Sequence, residues 1–64
     1  MFYNGKYLIE FFIEDNGHSH PKQVKAVDVK GGIKQCLYWS VKRDMGNTLS
    51  EHFEVYITKE PIKI

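Results

Sequence analysis

Between Lys6 and Asp15 the chain reads KYLIEFFIED, and apolar side chains recur at Tyr7, Ile9, Phe11 and Ile13. A spacing of two places those four on one face of a β-strand. Leu8, Glu10, Phe12 and Glu14 fall on the other face, which is half apolar. A segment that is apolar on one side and mixed on the other suits the middle of a sheet, so it is predicted as the central strand. Asn16 to Pro21 (NGHSHP) reads as a turn longer than a two-residue hairpin loop; Asn-Gly favours positive φ and Pro21 cannot donate to a ladder. Lys22 to Val27 is predicted as a short second strand with Val24 and Ala26 inward. Its lysines and the preceding proline suit a sheet edge.

From Ala26 to Gly46 the period changes. Val29, Ile33, Cys36, Leu37, Ser40 and Val41 align at about 100° per residue, the stripe of an amphipathic helix. Asp28 is placed to cap its start, where a carboxylate accepts from free N–H groups and meets the positive end of the helix dipole. Lys42 and Arg43 complement the other end, and Gly46-Asn47 reads as a stop. Gly31 and Gly32 each cost about 1 kcal/mol relative to Ala inside a helix, so they mark either close packing on a sheet or a later start. His52 to Lys59 (HFEVYITK) returns to period two, with Phe53, Val55 and Ile57 inward and Glu54, Tyr56 and Thr58 outward. Pro61 ends that strand, and Ile62 to Ile64 is expected to be a loose tail.

These elements predict one α+β domain over residues 1–64, in ββαβ order. Three mainly antiparallel strands lie in spatial order 2-1-3, with one helix packed on one face and the other face open. A chain of 64 residues buries only about 60% of the surface its unfolded form exposes, which leaves no room for a deep, walled cavity. Nine Lys and Arg against eight Asp and Glu give a net charge of +1, too little for a domain built to grip phosphate backbones. So small a charge also sets little repulsion between copies, and a homodimer is compatible with it. Cys36 is alone and has no intramolecular disulfide partner. No secretory signal or membrane-spanning run is read, so the expected home is a reducing cytoplasm.

Candidate chemistry is sparse. His18-Ser19-His20, with His52, is the one metal-like group, but a structural zinc site takes four ligands, usually including cysteines. A solvated turn is expected there, with no metal and no cofactor. Cys36 sits on the apolar stripe, where burial raises a thiol pKa, and reads as a small core residue rather than a nucleophile. Glu10, Glu14 and Glu54 fall on the open face, away from any pocket that would tune them for acid–base work. Leu8, Phe12 and Tyr56 also fall there, and large apolar groups on an uncovered sheet mark a binding patch. Tyr38 and Trp39 point about 100° apart, one toward the sheet edge; Trp39 is expected in the core or its rim. A second reading gathers Lys22, Lys25, Lys34, Lys42 and Arg43 into a surface for DNA or RNA.

The run Ala26, Asp28, Val29, Gly32, Ile33 and Cys36, with an aromatic at Tyr38 and Phe53-Glu54-Val55 opening the last strand, resembles small bacteriophage host-takeover proteins, in particular the podophage inhibitors of bacterial RNA polymerase. The likeness spans Tyr7 to Pro61. It implies a compact ββαβ inhibitor acting in the host cytoplasm on a host protein, such as the transcription machinery or a defence or toxin component. That family uses two arginines on the last strand against an acidic part of the polymerase; here those positions are Ile57 and Lys59, and the family's long polar N-terminal arm is missing. The expected function is therefore a non-enzymatic inhibitor that masks a protein surface through Leu8, Phe12, Tyr56 and Lys59.

Overall fold

A computed structural model describes residues 3–64 of the chain. Five strands and one helix follow in the order β1 (Tyr3–Asp15), β2 (His18–Ser19), β3 (Gln23–Gly31), α1 (Ile33–Met45), β4 (Phe53–Ile57) and β5 (Ile62–Lys63). Every other strand pairs antiparallel with β1. Phe11 pairs with both Gln23 and Ile57, and Asp15 with both His18 and Phe53, so β2 and β3 lie end to end on one side of β1 and β4 on the other. Leu8 pairs with both Ala26 and Ile62, which puts β5 on the β4 side. The five strands therefore form three ribbons with β1 in the middle, as the expected 2-1-3 order requires, under a single helix.

Two breaks turn the expected outer strands into pairs of shorter ones. Asn16 (φ 53°) and Gly17 (φ 87°) make the β1–β2 turn themselves, with Asp15 opposite His18. The turn is thus a two-residue hairpin loop, shorter than expected, because both central positions tolerate positive φ. The added length is a bulge: three residues, 20 to 22, face two of β1, and Pro21 sits where a ladder donor is missing. On the other side, residues 58 to 61 loop out before Ile62 and Lys63 rejoin β1. The C-terminal segment is therefore a paired strand rather than a loose tail, and the Ile64 N–H donates to the Lys6 carbonyl at 2.9 Å.

The helix begins later than the apolar stripe suggests. Asp28 and Val29 belong to β3, and Gly32 occupies the N-cap with no side-chain cap bond. Gly31 adopts φ 102°, which an L side chain rarely does, and this turns the chain from strand to helix. Two glycines oppose helix, whereas Val27 and Val29 find β1 partners in Tyr7 and Gly5; pairing overrides the local period. The same register corrects the predicted inward pair of β3. Val27 and Val29 are buried against the helix, while Val24 and Ala26 are exposed, because the latter oppose Glu10 and Leu8 on the far face.

Odd positions of β1 supply the centre of the core. Ile9, Phe11 and Ile13 are buried with Val27, Val29, Phe53 and Val55, and Leu37 and Val41 cover them from the helix. Tyr38 stacks on Phe53 with ring centroids 4.7 Å apart. Lys25 runs beneath the helix, where its ammonium pairs with Asp44 and reaches the Ser40 carbonyl at 3.5 Å. At the opposite end, Asp15 accepts from the Ser50 N–H at 3.2 Å and from its hydroxyl, tying the loop after the helix to β1. Replacing fully buried Leu37 by Ala should destabilise the domain by about 2–5 kcal/mol. Urea unfolding should show a lower midpoint at unchanged slope.

Candidate functional site

Alternation along β1 builds the uncovered face. Leu8, Glu10, Phe12 and Glu14 point away from the helix; Tyr56 lies directly across from Phe12, Glu54 across from Glu14, and Ile62 across from Leu8. Phe12 and Tyr56 stack with centroids 5.1 Å apart and planes 18° from parallel. Such a pair adds about 0.5–1.5 kcal/mol beyond its area, so the rings form a stiff platform rather than two loose side chains. Leu8 (38% exposed) and Ile62 (64% exposed) extend the apolar strip along the same face. The C-terminal segment thus runs beside the platform and leaves it uncovered. Of the N-terminal aromatics that could fold over this face, Phe2 lies outside the described residues and Tyr3 packs edge-on against Tyr7 at the margin of the core.

Carboxylates and lysines surround the strip. Glu10 accepts from the Thr58 hydroxyl at 2.9 Å and lies 3.7 Å from Lys22 and 4.0 Å from Lys59. The hydrogen bond first, and the two ammonium groups after it, hold its pKa below the ordinary glutamate value. Glu14 and Glu54 oppose each other across the strands, a like-charge pair that destabilises a sheet. Among the described residues neither joins an ion pair; Glu54 instead accepts from the Tyr56 hydroxyl at 2.5 Å. That bond to a carboxylate raises the Tyr56 pKa, since the phenol loses its acceptor when it ionises. Lys34 comes round from the helix to 5.5 Å from the Tyr56 ring centre.

Leu8, Phe12, Tyr56 and Lys59 are therefore gathered around one surface, as the spacing implied. Lys59 reaches it only as a rim charge already facing Glu10. Ile62 and Val24 join the same face and were missed: one lay in a segment read as loose, the other on a strand read with its faces exchanged. Four residues of the proposed basic set have partners of their own, and the fifth, Arg43, lines the groove between the helix and the β3 edge. Lys25 is tied beneath the helix, Lys22 faces Glu10, Lys34 covers Tyr56, and Lys42 stands 5.1 Å from the Trp39 ring. Cys36 is half-buried at the margin of the core, and its thiol donates to the Lys30 carbonyl at 3.8 Å. Trp39 is 53% exposed rather than packed inward, because its neighbour Tyr38 takes the place over Phe53.

Among the described residues no three His, Cys, Asp or Glu side chains meet in a metal-like cluster, and no helix is long and apolar enough to cross a membrane. Comparison with protein-family models, with curated proteins and with solved structures finds no match. Glu10 should titrate below the ordinary glutamate value of about 4.3 when followed by carboxyl NMR. A depressed folded pKa stabilises the domain above the unfolded value, and that contribution is lost as pH falls through the folded one. Glu10→Gln should remove this part of the acid dependence of thermal unfolding.

Proposed function

We propose that this chain is a protein-binding domain without catalytic chemistry of its own, of the kind small bacteriophages use to mask a host protein. The observation that carries the reading is the half-exposed Phe12–Tyr56 stack, which has Lys34 at its Tyr56 end and the opposed Glu14–Glu54 pair beside it, neither carboxylate in an ion pair among the described residues. Stiff aromatic groups lose little freedom on binding and are enriched where interfaces draw their energy. Two opposed carboxylates beside them favour a partner that brings a lysine or arginine to that spot. Counted as ribbons, with β2–β3 and β4–β5 each taken as one, the described elements follow the ββαβ layout on which the resemblance to phage inhibitors leans. Lys59, the cation that resemblance would carry over, already faces Glu10, while Glu14 and Glu54 stand opposed beside the platform with Lys34 near the Tyr56 ring.

Inhibition on this reading is steric. The platform, with Leu8 and Ile62, docks on a basic, partly apolar surface of a host protein, such as the transcription machinery or a defence or toxin component, and blocks its use. Phe12→Asp and Tyr56→Asp should each weaken capture of that partner from bacterial lysate by about 30-fold or more, as expected for central interface residues. Circular dichroism should stay that of the parent, since both side chains lie outside the core. Failure to retain any partner, or equal retention by the Phe12→Asp protein, would overturn the proposal.

A further inference from the structure

The outer edge of β3 is long, regular and unpaired among the described residues. Its hydrogen-bonding groups can be assigned from the ladder. The carbonyls of Lys6 and Glu10 accept from Ile64 and Thr58 on the β4–β5 side, so even positions of β1 face that way. Odd positions of β1 therefore bond to β3, and their partners Gln23, Lys25, Val27, Val29 and Gly31 spend their N–H and C=O groups on β1. Those of Val24, Ala26, Asp28 and Lys30 point outward; the Cys36 thiol on the Lys30 carbonyl agrees with this. The opposite edge of the sheet is broken by the loop at residues 58 to 61 and by Pro61. β3 has no proline and no bulge over nine residues, and its one inward lysine, Lys25, is turned under the helix. An edge left in this state is a template for another strand.

We propose that a second copy of this chain covers it, by antiparallel pairing of β3 with β3 about a two-fold axis at Val27. This goes beyond the partner-binding reading and does not depend on it. The occupant is argued from the sequence of the edge itself. Centring the axis on Val27 uses all nine residues and pairs Ala26 with Asp28, Val24 with Lys30 and Lys25 with Val29 of the second copy, so no like charges stand opposite. Shifting the axis to Ala26 sets Lys22 against Lys30, and shifting it to Asp28 sets that carboxylate against itself. A net charge of +1 adds little repulsion at longer range. The helix side supplies a further contact. A groove of about 520 Å³ lies between the β3 edge and the helix, lined by Val27, Gln35, Trp39 and Arg43 among others. Half-exposed Trp39 thus borders the same stretch of strand as the axis. Antiparallel pairing about an axis normal to the sheet puts both helices on one side, with the two tryptophans approaching across the axis. Both aromatic platforms remain open on the other side.

Light scattering coupled to gel filtration, from low to high micromolar concentration, should show the mass rise to twice that of the chain. Trp39 is the only tryptophan, and its emission should move to the blue over the same range. Ala26→Pro removes an N–H that β1 does not use, at an exposed edge position where proline is tolerated, and should leave a folded monomer. Two exposed substitutions test the register, with circular dichroism checking that each protein stays folded, since position 24 also stands opposite Glu10 of its own chain. Val24→Glu, set against Lys30, should tighten the dimer by about threefold to tenfold, and Val24→Lys should loosen it by a similar factor. A monomer at all concentrations overturns the proposal. So does a dimer that persists unchanged in a folded Ala26→Pro protein, or one that responds equally to both charges at position 24. Loss of lysate capture by the Phe12→Asp protein with dimerisation intact would separate the two surfaces.

Discussion

Everything in this domain is attached to β1. Its odd side chains make the dry centre of the core, its even side chains make the exposed platform, and its backbone is the only one that every other strand bonds. A chain this small has one apolar interface, between one helix and one sheet, and little else to stabilise it. The two faces of β1 are therefore not independent. A shift of one residue in its register would exchange them, burying Glu10 and Glu14 and exposing Ile9, Phe11 and Ile13. That penalty holds the register, and with it the position of Phe12 opposite Tyr56.

Polar groups then fasten what the core leaves loose. Lys25 holds the C-terminal half of the helix to β3 through Asp44 and the Ser40 carbonyl. Asp15 holds the loop that follows the helix through Ser50, and those bonds, with the Ser50 hydroxyl first, lower its pKa. Glu10 draws Thr58, Lys59 and Lys22 together across three ribbons. Exposed ion pairs contribute little individually. Their effect here is positional: they occupy Lys22, Lys25 and Lys59, and among the described residues they leave Glu14 and Glu54 without an ion-pair partner beside the aromatic platform.

The fold presents two kinds of surface for two kinds of contact. The platform offers side chains, stiff and aromatic, with acidic neighbours. The β3 edge offers backbone, with donors and acceptors set at the spacing of another strand. One lies on a face of the sheet and the other along its rim, so occupation of the edge leaves the face accessible. A dimer would present two platforms in one plane, and a target with repeated or symmetric sites would gain from that arrangement through effective concentration.

Period-two alternation was legible in the sequence for β1 and β4, as were the stripe of α1 from Ile33 onward, a turn starting at Asn16-Gly17 and the shared outward face of Leu8 and Phe12. Each depends on interactions between residues close in the chain, where spacing alone decides which side chains share a face. Tertiary structure decided the rest. Val29 fits a helix stripe and a strand face equally well, and only its pairing with Gly5 made it a strand residue. Val24 and Ala26 faced outward because β1 set the register, and Ile62 joined the platform because Leu8 lay free to pair with it. Local period cannot distinguish such cases, since the deciding partner lies tens of residues away and its contribution exists only once the ribbons have met.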